Sequence, residues 1–152
     1  GSGTIGLEAL RLRPKLELFS IDKRFGSQLL VKENAEKLRV SPKKIIESDV
    51  KQFLINDLNN SFSDTNRVVI GGCDKKTKIE IIEAFSKVLK RGDIIVIPII
   101  TYEVLQEISN CLKQLNYETS INLIQTFKGL SISEGTRFEP NNPVFIIKAK
   151  KK

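Results

Sequence analysis

Apolar residues along this chain fall into two alternating patterns, short uninterrupted runs and stretches spaced by three and four, which predict strands and amphipathic helices in turn. Thr4–Leu12 has Ile5, Leu7, Ala9, Leu10 and Leu12 at helical spacings with Pro14 just beyond, so it reads as a short helix entered from a glycine turn. Leu16–Ile21 reads as a strand ending at Asp22, and Ser27–Leu38 as a helix with Leu30, Val31, Ala35 and Leu38 on one face. Ser41-Pro42 breaks the chain before a strand at Lys44–Glu47, which leads into Ser48-Asp49. Residues 50–58 predict a helical turn, and Asn59–Asn66 a polar loop.

The second half repeats this rhythm. Arg67–Ile70 is a predicted strand stopped by Gly71-Gly72, and Lys78–Lys90 a helix whose Ile81, Ile82, Phe85, Val88 and Leu89 follow the 3.6-residue period. Arg91-Gly92-Asp93 turns into Ile94–Ile100, whose continuous apolar run predicts a buried strand. Tyr102–Leu115 is the next helix, with Val104, Leu105, Ile108 and Leu112 facing inward. Two β-rich runs, Glu118–Phe127 and Val144–Ala149, close the chain; the polar stretch Lys128–Asn142 between them reads as a loop long enough to reach over a site. Strands alternating with helices through five units predict an α/β fold, its mainly parallel sheet covered on both faces. Ligands bind such sheets beyond the carboxyl ends of the strands. The residues there are Gly1–Ile5, Asp22, Ser48–Val50, Gly71–Asp74 and Thr101.

Composition narrows the picture. A chain of 152 residues fits one domain, and 40% hydrophobic with 28% charged residues excludes disordered and fibrous classes. The run Ile94–Ile100 falls far short of the about 20 apolar residues that span a bilayer, and no apolar leader opens the chain, so no membrane association is expected. The excess of 25 Lys+Arg over 18 Asp+Glu, +7 in all, points to an anionic partner, although Lys148, Lys150, Lys151 and Lys152 form a solvated tail. Cys73 and Cys111 make neither metal-ligand spacing nor a disulfide framework, which fits the cytoplasm. With no histidine, Ser-His-Asp and Cys-His catalysis and histidine metal sites are excluded, and no metal is expected.

Gly1-Ser2-Gly3-Thr4 at a helix entrance, followed by Asp22 at a strand end, is a nucleotide-binding arrangement in abbreviated form. Glycines admit close backbone approach, and a carboxylate accepts hydrogen bonds from both ribose hydroxyls. A plain glycine cap and a solvated Asp fit the same residues, and Gly6 completes G-x-G-x-x-G, so a dinucleotide site stays open by pattern. Asp49 can accept from an adenine amino group or cap the helix after it. Gly71-Gly72 can be a turn or can hold a cleft open, and with neither a His nor a CxxC motif in the sequence Cys73 reads as a bystander rather than a nucleophile.

The segments GSGTIGLEALRL, LFSIDKR, IIESDV, RVVIGGCD and LKRGDIIVIPIITYE, in that order, resemble the motifs of class I S-adenosylmethionine-dependent methyltransferases. The pairing of VIGG with a closing NPVFII, and Thr101-x-Glu103 between them, is similar to the decarboxylating precorrin carbon-15 methyltransferases of cobalamin biosynthesis. The resemblance implies a Rossmann-like class I methyltransferase sheet, mainly parallel with an antiparallel last strand. It implies that Gly1, Ser2, Gly3, Thr4 and Ile5 wrap the methionine part of S-adenosylmethionine, Asp22 holds the ribose, Asp49 and Val50 border the adenine, and Gly71 lies beneath the sulfonium with Gly72. Gly72, Thr101, Lys128, Arg137 and Asn142 are the expected contacts of an anionic tetrapyrrole, with Lys75 and Lys76 as further cations. No catalytic residue is implied, because a corrinoid meso carbon needs no deprotonation before attack. A homo-oligomer, a tetramer, is implied, with contact at the β-rich end.

The family's Asp-x-Gly-x-Gly follows a central first strand that this sequence does not show, so residues 1–152 are expected to be a single domain begun inside its fold. An RNA methyltransferase is a second reading of the basic charge, but no Asn-Pro-Pro-Tyr type motif follows the fourth strand. A third is a non-catalytic or NAD-binding Rossmann module using the same glycine turn.

Overall fold

The computed structural model describes residues 1–61 and 64–152, with the side chains of 56–61 outside the description. Two compact units form, Gly1–Leu58 and Asn59–Lys152.

In the first unit, β1 (Phe19–Asp22) and β2 (Lys44–Glu47) pair in parallel, with Asp22 opposite Glu47 at their carboxyl ends. α1 (Thr4–Leu12) precedes β1, α2 (Ser27–Leu38) connects the strands, and α3 (Val50–Ser61) follows β2. The α1 and α2 boundaries match the sequence prediction; the first strand is shorter, because the chain after Pro14 turns with the Leu16 amide on the Arg13 carbonyl. α3 runs into the polar segment expected to be loop, of which residues 62–63 lie outside the described residues. Leu7, Val31 and Ala35 form the buried cluster, with Leu18, Leu38, Val40 and Ile45 packed on it. Leu30, expected on that face, is exposed, as are Ile5 and Leu12.

The second unit holds a four-stranded sheet in the order β3 (Arg67–Val69), β4 (Ile94–Ile99), β8 (Val144–Lys151), β5 (Tyr117–Ile124). β3 and β4 are parallel, while β8 lies antiparallel to both β4 and β5, so the last strand is the one reversed element. α4 (Lys75–Val88) links β3 to β4, and α5 (Tyr102–Gln114) links β4 to β5. The run predicted to be uniformly buried instead alternates: Ile95, Ile97 and Ile99 are buried, while Ile94, Val96 and Pro98 are half-buried. The buried face meets Ile147 and Ala149 of β8 in the same core as Ile82, Ile108 and Leu112. Full burial of three isoleucines contributes about 1.5–3 kcal/mol each.

The stretch Lys128–Asn142 is not a structureless loop. It forms the hairpin β6 (Phe127–Ile132) and β7 (Gly135–Pro140), separated from the four-stranded sheet, with Lys128 opposite Glu139 and Leu130 opposite Arg137.

Tyr117 at the start of β5 is buried, donates to or accepts from Ser86 at 3.0 Å, and carries the Lys151 ammonium 4.8 Å from its ring centre. Burial raises its phenol above the ordinary value of 10, with the Ser86 hydrogen bond opposing. The folded chain thus holds the proton more tightly than the unfolded one, so this stabilisation is complete below pH 10 and is lost as pH rises through the folded value. Urea unfolding from pH 9 to 12 is expected to show a steeper alkaline loss of stability than in Tyr117→Phe. Equal slopes would refute it.

Candidate active site

The glycine turn is fixed by close packing on its own core. Gly3 caps α1 in the left-handed region at φ +69, and a Cβ there would meet Val31 Cγ2 at 2.9 Å. Gly6 faces Leu18 Cδ1, 2.8 Å from where its Cβ would be, so the third glycine sets helix-to-strand packing. No side chain caps α1, which leaves its first-turn amides directed at the turn, where an anion is stabilised. The turn is braced by Ser2 and Thr4, whose hydroxyls are 2.6 Å apart, and by Asn34, which donates to the Ser2 carbonyl at 3.0 Å.

Asp22 lies beside Gly1: its carboxylate contacts the Gly1 amino group and accepts from the Arg24 amide at 2.9 Å and the Arg24 guanidinium at 3.1 Å. The structure therefore brings the glycine turn and the β1 carboxylate together. Asp49 accepts from the Lys51 amide at 2.8 Å, which makes it the cap of α3; Val50 is the first residue of that helix. Capping occupies one oxygen and leaves the carboxylate with further acceptor capacity.

In the second unit, a cleft of about 440 Å³ opens at the carboxyl ends of β3 and β4. Gly71 and Gly72 form one wall, Pro98, Ile99 and Thr101 another, and Val104 and Val144 add apolar surface. Its size lies within the range of small-ligand sites. Asp74 closes the amino end of α4, accepting from the Thr77 amide at 2.9 Å and hydroxyl at 2.6 Å. This cap starts the helix at Lys75 rather than at Lys78. Of the expected substrate contacts, Gly72 and Thr101 line the cleft. Lys128 and Arg137 are exposed on the hairpin, and Asn142 is exposed before β8, none of them lining the cleft. Lys75 also lines it but is paired with Glu107 at 2.7 Å, and Lys76 is exposed.

A sequence profile described as the precorrin methyltransferase domain matches residues 1–151. The chain belongs to that family. A Sulfolobus acidocaldarius protein named as a cobalt-precorrin-6B C(15)-methyltransferase (decarboxylating) is 28% identical over all of this chain and 77% of its own length. The crystal structure of a precorrin-6y C5,15-methyltransferase from Geobacter metallireducens superposes with a TM-score of 0.82 at 25% identity, covering 99% of this chain and 77% of that one. That of a precorrin 8W decarboxylase from Methanobacterium thermoautotrophicum gives 0.81 at 23% identity over 98% and 76%, and shares the fold.

Two residues of this precorrin methyltransferase domain join the site through the structure alone. Arg24, 69% exposed at the side chain, engages the Asp22 carboxylate that the family resemblance assigns to ribose. Lys78 is 6% exposed, lines the cleft, and donates to the Cys73 carbonyl. Its signal was present: Lys78 falls on the stripe of Ile81, Ile82 and Phe85, at the spacing of a buried helix face.

Proposed function

We propose that this chain transfers a methyl group from S-adenosylmethionine to carbon 15 of a precorrin and removes carbon dioxide from a ring acetate, in the cytoplasm, as a step of cobalamin biosynthesis. The observation that carries the reading is the apolar-walled cleft at the carboxyl ends of β3 and β4, in a chain of the precorrin methyltransferase family. Its walls desolvate and position, and hold no histidine to serve as base. An electron-rich meso carbon asks for nothing more than that.

The residues of the first unit fit the cofactor. Val31 and the left-handed backbone fix Gly3 and so the course of the turn, and the uncapped amides of α1 suit the methionine carboxylate. Gly1 to Ile5 would hold that part, Asp22 the ribose hydroxyls, and Asp49 with Val50 the adenine. S-adenosylmethionine supplies, when bound, a methyl group on a cationic sulfur open to in-line displacement. Because the Arg24 side chain occupies Asp22, it must yield acceptor sites to the ribose. Arg24→Ala is therefore expected to leave cofactor affinity equal or raise it a few-fold. Titration with S-adenosylhomocysteine and NAD tests the reading: tight NAD binding with no response to S-adenosylhomocysteine would replace it with a dinucleotide module.

We propose further that the β-rich end joins copies of the chain. Leu123 and Phe127 are each 59% exposed and Phe138 is 69% exposed, on the edge strand β5 and its neighbouring hairpin, an apolar group that a second copy would cover. Leu123→Glu is expected to lower the sedimentation coefficient of the wild-type assembly to that of a monomer. An unchanged coefficient would remove this surface from the interface. Among the described residues no helix is long and apolar enough to cross a membrane.

A further inference from the structure

We infer that the Lys78 ammonium receives a carboxylate of the bound substrate, one that the reaction leaves in place. This rests on the precorrin reading and adds to it a recognition residue. Lys78 sits on the first turn of α4, 6% exposed, and lines the cleft with Gly72, Pro98 and Val104. Its Nζ donates to the Cys73 carbonyl and lies 3.9 Å from the Cys73 thiol. Among the described residues no carboxylate lies within ion-pair distance of it. The other lysine at the cleft, Lys75, is neutralised by Glu107, so the two cations differ in what they can still bind.

Asp74, the one carboxylate among the described residues that line the cleft, is engaged through both oxygens by Thr77. A buried ammonium whose acceptors here are a neutral carbonyl and thiol retains donor capacity, since lysine carries three N–H bonds. An anionic ligand group entering the cleft completes it. A tetrapyrrole with acetate and propionate arms supplies that group, and in apolar surroundings the pair is a strong, charge-assisted hydrogen bond. The carboxylate so held is not the one lost. Pairing with an ammonium stabilises the ionised acid and opposes movement of its carbon–carbon electron pair into the ring. The departing acetate is instead placed against apolar wall, where the carboxylate is least stabilised.

Lys78→Met and Lys78→Gln test the assignment, the second because its amide keeps a donor for the Cys73 carbonyl. Binding of uroporphyrin III, an acetate- and propionate-bearing tetrapyrrole, is measured by fluorescence quenching, with S-adenosylhomocysteine affinity and melting temperature measured alongside. Both variants are expected to bind the porphyrin about 30-fold or more weakly, with S-adenosylhomocysteine affinity kept and no loss of melting temperature. With precorrin-6B, KM rises and kcat changes little. Wild-type affinity in both variants, or a loss confined to Lys78→Met, would overturn the proposal, the latter leaving Lys78 only as a tie to the Cys73 loop. A melting-temperature shift with tricarballylate separates this from the functional reading. Stabilisation that depends on Lys78 in a chain that binds neither tetrapyrrole would retain the anion site and reject the precorrin reading. No response to tricarballylate or either tetrapyrrole in the wild type would reject both.

Discussion

Asp22→Asn is expected to weaken S-adenosylhomocysteine binding about 10- to 100-fold, because a hydrogen bond to a charged acceptor contributes about 1.5–3 kcal/mol. Asp22 ends β1 at the side of the unit where the glycine turn lies, and its carboxylate contacts Gly1 itself. The amide of Asn accepts through one oxygen only, and cannot take both ribose hydroxyls as a carboxylate does. Stability is expected to change by less than about 1 kcal/mol, since the ion pairs lost are with the chain's first residue, Gly1, and the largely exposed Arg24. Calorimetric titration of both chains checks this, with a melt as control. Equal affinities would remove Asp22 from the cofactor site.

Gly3→Val should cost about 2–5 kcal/mol of folding stability, from two separable sources. At φ +69 a β-branched residue pays about 1–2 kcal/mol for the left-handed backbone. The added side chain also enters space that Val31 fills, with Cγ2 2.9 Å from the position of a Cβ, and overpacking of this kind costs about 1–3 kcal/mol. Val31→Ala relieves the collision and leaves the backbone term, so Gly3→Val should cost less in the Val31→Ala background than in the wild type. Urea unfolding of the four chains closes this cycle. Gly3→Val unfolding at the wild-type midpoint would contradict the geometry of the turn.

Periodicity located what is buried and missed what is not. The α1 and α2 limits were readable because Leu7, Leu10, Val31 and Ala35 are buried and repeat at helical spacing. The β6–β7 hairpin has the sequence of a loop because nearly every residue in it is exposed, so it bears no alternation between two environments. It is held instead by cross-strand pairs, among them Lys128 opposite Glu139 and Phe138 opposite Gly129. Its two-residue turn, Ser133-Glu134, carries no strong signature.

At the candidate site, glycines and carboxylates at strand ends were legible because their chemistry repeats across folds. The double role of Asp49 was not settled by pattern, and the structure shows the capping bond to Lys51. Position in the sequence marks Lys128 and Arg137 before the last strand, with Lys75 and Lys76 after Gly72 as further cations. Side-chain geometry distinguishes a lysine paired with Glu107, one left exposed, and one buried in the cleft. Of these three, Lys78 is the one inferred above to receive a carboxylate of the ligand.

The central claim is methyl transfer to a precorrin with loss of carbon dioxide. Incubation of the chain with methyl-labelled S-adenosylmethionine, precorrin-6B and RNA, followed by mass analysis of the tetrapyrrole, tests it directly. The account predicts a labelled tetrapyrrole that has gained one methyl group and lost one carbon dioxide, with unlabelled RNA. Labelled RNA beside an unchanged tetrapyrrole would contradict it.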